Sequence, residues 1–108
     1  MIPLREIAFA RSGDKGNPAN IAVFGRTPAA YAWLRAQLTA ATVEEYFRPL
    51  GVGPVTRYDV PKLEALKFVL PGVLGGGGRR SLRIDAQGKT LGMALLELKV
   101  DAPPSLLP

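Results

Sequence analysis

The chain has 108 residues, 47% of them hydrophobic and 21% charged, which is the balance of one globular domain rather than a disordered segment. It contains no cysteine and no histidine, so disulfides, thiolate chemistry, iron–sulfur clusters and the commonest general base are excluded. A net charge of +5 favours anionic partners in general terms. The charges are spread along the chain, however, with no aromatic–basic alternation of the kind an RNA-binding strand carries, so nucleic acid is not an expected partner. The opening Met1-Ile2-Pro3-Leu4-Arg5-Glu6 lacks the pattern of a signal peptide, and no apolar run approaches ~20 residues. The expected location is cytoplasmic, with no membrane contact.

Leu4–Ala10 reads as a strand with Ile7 and Phe9 on one face. It leads into the turn-rich cluster Arg11-Ser12-Gly13-Asp14-Lys15-Gly16-Asn17-Pro18, and Asn20–Gly25 follows as a second strand with Ile21 and Val23 sharing a face. Thr27-Pro28 is a helix start, with Thr27 as cap and Tyr31, Leu34, Leu38 and Ala41 at helical spacing. Thr39 or Thr42 caps a second short helix carrying Tyr46, Phe47 and Leu50, ended by Pro49 and the Gly51–Pro54 run. Val55–Val60 is a strand rich in β formers.

The leucines at 63, 66, 70 and 74 favour a helix over 62–74; the alternative is a strand, Ala65–Leu70, paired back on 55–60. Four glycines, Gly75 to Gly78, then exclude a helix or strand interior. Ser81–Asp85 is a strand, and Asp85–Lys89 makes a turn. Leu91–Val100 ends as a strand with Leu96, Leu98 and Val100 facing the core, while Leu91, Ala94, Leu95 and Leu98 also fit a helix in its first half. Residues 101–108 read as a flexible tail after a single domain over 1–100. Roughly five strands and two or three helices give an α+β sandwich, a mostly antiparallel sheet with helices on one face.

Two segments can carry chemistry. In the first, Gly13 and Gly16 let backbone N–H groups converge on an anion, Arg11 and Lys15 add charge, and Ser12, Asn17 and Asn20 add directional hydrogen bonds. Asp14 can orient Lys15 or act as a base; the bland alternative is a polar connecting loop. It is neither a Walker loop nor a dinucleotide fingerprint. In the second, Gly76 and Gly77 stand near Arg79 and Arg80 and permit close backbone approach to a ligand, against the alternative of a plain connection. The candidate ligand-binding set is therefore Arg11, Ser12, Gly13, Asp14, Lys15, Gly16, Asn17, Asn20, Gly76, Gly77 and Arg80, the two loops forming one anion-receptive surface. Asp14, Asp59 and Asp85 lie in or beside loops, but their spacing demands neither a metal nor an acid–base pair. No catalytic residue, no metal and no cofactor is assigned.

Ala10–Asn17 with Asn20-Ile21-Ala22, then Leu66–Leu70, Leu74–Gly77 and Ser81–Leu91, together and in this order, resemble the ferredoxin-like domain of the acyclic terpene utilisation (AtuA-like) family. The resemblance spans about residues 4 to 100. It implies a ferredoxin-like α+β fold, whose name is topological and carries no iron–sulfur cluster. It implies a setting in the breakdown of branched acyl-CoA or terpenoid acids. Larger members resemble a catalytic-looking domain fused to this one, so the stand-alone chain is expected to be an accessory or partner domain, not an enzyme on its own. A homo-oligomer, a dimer or higher, a separately encoded larger subunit, and an anionic small molecule such as a CoA thioester at Arg11–Asn17 are the expected partners.

Overall fold

In the computed structural model, which describes residues 1–13, 19–71 and 91–107, the chain starts as a short strand, β1 (Ile2–Pro3), and a 3-10 turn over Leu4–Glu6. Ile7 closes that turn with φ −122° and ψ 0°, outside the extended region. This break matters for everything after it. Ile7 points into the core and is fully buried, whereas Phe9, expected on the same face, points outward and is 45% exposed.

The strand that follows, β2 (Ala8–Gly13), is longer at its far end than the sequence suggests. It pairs antiparallel with β3 (Ala19–Gly25) from Ala8 opposite Gly25 to Gly13 opposite Asn20. Arg11, Ser12 and Gly13 are therefore strand residues and not loop residues. Cross-strand pairing overrides their turn preference, because β propensity depends mainly on what a residue packs and pairs with.

Two helices follow, each capped as its sequence implies. Thr27 Oγ1 accepts from Ala30 N–H at 3.0 Å and Pro28 takes the first position of α1 (Pro28–Gln37). Thr39 Oγ1 accepts from Thr42 N–H at 3.1 Å to open α2 (Ala40–Tyr46). Ala30, Tyr31 and Leu34 form the buried stripe of α1; Val43 and Phe47 anchor α2 and its exit. Gly25 makes room for α1, since a Cβ there would lie 2.6 Å from the Tyr31 backbone nitrogen.

The chain returns in β4 (Thr56–Val60), turns through Pro61–Leu63 and Glu64, and continues as β5 (Ala65–Leu70). The favoured helix over 62–74 is thus corrected: 65–70 is the strand alternative, paired with β4 on one side and β3 on the other. Leu66, Phe68 and Leu70 alternate into the core, and that period of two outweighs the helical spacing of the leucines. The sheet order is β2-β3-β5-β4, antiparallel throughout.

Residues 91–96 are helical, here α3, and bury Leu91 and Leu95, so the helical reading of this half holds. Two leucines of this apolar stretch thus lie in the chain's own core. A last strand, β6 (Lys99–Val100), pairs antiparallel with β1. Within the segment read as a tail, Pro104–Leu106 makes a 3-10 turn and Leu106 packs on the core.

One hydrophobic cluster joins α1, α2 and α3 to the inward side chains of the sheet, including Ile21, Val23, Leu66, Phe68 and Leu70. The result is the α+β, ferredoxin-like arrangement: an antiparallel sheet with its helices on one face. No helix among the described residues is long and apolar enough to cross a membrane.

Candidate functional site

Alternation along β2 divides the candidate residues between two faces. Ser12 points inward, where its Oγ accepts from the Gly92 N–H of α3 at 2.6 Å. That oxygen is thereby engaged in fixing α3 to the sheet. Gly92 permits the contact because a Cβ would sit 2.7 Å from Ser12 Oγ and 3.3 Å from Ala10 Cβ. Arg11 points outward and is exposed. Gly13 lies opposite Asn20, whose side chain lies close enough that a Cβ on Gly13 would meet its Oδ1 at 2.7 Å. Asp14, Lys15, Gly16, Asn17, Gly76, Gly77 and Arg80 lie outside the described residues, as do Arg79, Asp85 and the strand and turn read at 81–89, so the expected meeting of the two loops does too.

Beyond Arg11, the outward face carries residues that sequence reading did not single out. Strand register sets them in three cross-strand rows. The first runs Phe9, Phe24, Ala65, Val60; the second Arg11, Ala22, Lys67, Tyr58; the third Gly13, Asn20, Val69, Thr56. Phe9 and Phe24 stack in parallel, ring centroids 5.0 Å apart with planes 7° from coplanar. Tyr58 is 55% exposed with Lys67 exposed opposite it on β5, and Arg11 is exposed at the other edge of the sheet, on β2. Among the described residues, none of these outward positions holds a carboxylate. A period-two reading of Phe9 with Arg11 and of Tyr58 with Val60 was the available signal.

The carboxylates of the opposite side are committed to structure. Asp59 sits between Arg57 at 3.1 Å and Arg35 at 3.4 Å. Arg57 Nη1 also donates to the carbonyls of Arg35 at 2.9 Å and Leu38 at 3.0 Å, the C-terminal acceptors of α1. Glu44 Oε1 accepts from Val55 N–H at 2.9 Å, and Glu97 pairs with Arg5 at 2.7 Å. Among the described residues, an open, mainly apolar groove of about 430 Å³ lies between α2 and Leu98, lined by Ala41, Thr42, Glu45 and Tyr46. The Tyr46 hydroxyl, on its rim, donates to the Ala94 carbonyl at 2.7 Å.

The arrangement can bind through an open sheet face, while Asp59, Glu44 and Glu97 are tied into the scaffold. No curated protein and no solved structure matches the chain. The sequence profile of the AtuA ferredoxin-like domain matches residues 2–101, nearly the whole length, and spans the six strands and three helices of the described residues. The chain therefore belongs to the AtuA ferredoxin-like domain family.

Proposed function

We propose that the chain is an accessory binding domain in the breakdown of branched acyl-CoA or terpenoid acids, working beside a separately encoded larger subunit and not as an enzyme by itself. The observation that carries this reading is the one-sidedness of the sheet. Helices cover one face, while the other presents Phe9, Tyr58, Arg11 and Lys67 to solvent. Exposed aromatic side chains beside arginine are the composition of a binding surface. The test is co-expression with a larger protein of the family, followed by size exclusion. The two chains are expected to co-elute, and Tyr58→Glu is expected to weaken the complex at least about tenfold without changing the circular dichroism spectrum. Separate elution of the wild-type chains refutes the partnership.

A second reading is favoured by the position of Arg11 on the open face. An anionic small molecule such as a CoA thioester would engage Arg11 and the segment leading to Asn17. Calorimetry with a CoA thioester is expected to show a heat of binding that Arg11→Ala removes; identical heats for both proteins refute it.

A further inference from the structure

The open face fits one class of ligand better than others. We infer that it is a binding surface for single-stranded nucleic acid, an inference that rests on the reading of this face as the functional one and names its ligand. Three properties of the face carry it.

The first is chemical composition. Tyr58 and Phe9, the exposed member of the Phe9–Phe24 stack, offer flat π surfaces, and Arg11 and Lys67 offer cations in the row that ends on Tyr58. Bases stack on aromatic rings whatever their sequence, and phosphates pair with Arg and Lys, so both halves of a nucleotide find partners. Asn20 and Thr56, in the third row, add donors and acceptors for base edges.

The second is shape. Strands lie ~4.8 Å apart and side chains on one face recur every ~6.8 Å, so the face measures about 14 Å each way between backbone atoms. That accommodates two or three splayed nucleotides. Small-molecule sites are concave and enclose most of their ligand, whereas this face is a sheet surface with Tyr58 set apart from the Phe9–Phe24 pair. An extended strand can touch Phe9 and Tyr58 together; they stand on opposite edges of the four-stranded sheet.

The third is charge. A second copy docked face to face about a two-fold axis would set the Arg11–Lys67 row against its own equivalent with no carboxylate on either side among the described residues. Like charges across an interface are unfavourable, and a polyanion has no such conflict.

The test uses the full chain and fluorescein-labelled ten-nucleotide probes of mixed sequence: single-stranded RNA, single-stranded DNA, and the blunt duplex. Anisotropy is expected to report binding of the single strands at least about tenfold tighter than the duplex. Phe9→Ala and Tyr58→Ala are each expected to weaken binding about tenfold with an unchanged melting temperature. Lys67→Ala is expected to reduce the slope of log K against log salt by about 0.7. Equal affinity for single strand and duplex overturns the inference, as does wild-type affinity in the folded Phe9→Ala and Tyr58→Ala proteins. If no probe binds while Tyr58→Glu still disrupts a complex with a larger subunit, or Arg11→Ala still removes the heat of CoA thioester binding, the inference fails and the binding-face reading survives. If no probe binds and these substitutions alter no interaction, both fail.

Discussion

Removing the Arg57 guanidinium should cost this domain a large share of its stability, because the side chain ties the sheet to the end of α1. Arg57 stands on β4 and reaches across to α1, where Nη1 meets the carbonyls of Arg35 and Leu38. A helix leaves its last carbonyls without partners, and a cation there also meets the negative end of the helix dipole. The Leu38 bond is partly buried and is taken at about 1.5 kcal/mol as a charge-assisted bond. The Arg35 bond is exposed and contributes about 0.5 kcal/mol, with about 0.5 kcal/mol more from the dipole. Arg57→Ala is therefore expected to destabilise by about 2.5 kcal/mol, which for a domain of this length lowers Tm by roughly 10 °C. Urea and thermal unfolding followed by circular dichroism measure this directly. Asp59→Asn separates the cap from the ion pair: Asp59 is partly exposed, so its loss should cost under about 1 kcal/mol while Arg57 keeps its carbonyl contacts. A loss below about 0.5 kcal/mol for Arg57→Ala, or equal losses for the two variants, would refute the assignment of Arg57 as the clamp between sheet and helix.

Three further outcomes are expected. The Tyr31 hydroxyl is buried with no hydrogen-bond partner among the described residues, so Tyr31→Phe should hold or raise stability; a loss above about 1 kcal/mol in urea unfolding contradicts this. Glu64 has φ 51°, in the left-handed region, and Glu64→Gly should gain up to about 1 kcal/mol, read as a higher urea midpoint at constant m-value. Gly92→Ala should destabilise by about 2 kcal/mol through collision with Ser12 and Ala10, and Ser12→Gly in the same chain should restore part of the loss; absence of that rescue in a double-mutant cycle counts against the contact.

The elements most legible in the sequence were those with local chemical punctuation. Thr27-Pro28 and Thr39 mark their helices because a cap is a contact over three residues. Strand β5 was less legible because Leu63, Leu66 and Leu70 satisfy a helical spacing while Leu66, Phe68 and Leu70 satisfy a strand, and only pairing with β3 and β4 decides between them. The same holds for Arg11–Gly13, whose turn-forming character yields to the partner residues 20–22. The aromatic–cationic face left only scattered period-two traces for a related reason. Phe9, Tyr58 and Lys67 come from three strands, and no window of the chain contains them together. The turn at Ile7, which rotates Phe9 from the expected inner face to the outer one, has no residue signature of its own.

The pairing of β1 with β6 sets how the domain responds to force. Ile2 faces Val100 and Pro3 faces Lys99, and Leu4 N–H extends the contact to the Leu98 carbonyl at 2.8 Å. The strand that begins the chain and the strand that leads out of its last helix are thus antiparallel neighbours. Tension applied between them loads their hydrogen bonds one after another, as in opening a zipper, and never all at once in shear. The outer pair is therefore expected to yield before the four-stranded sheet that carries the open face.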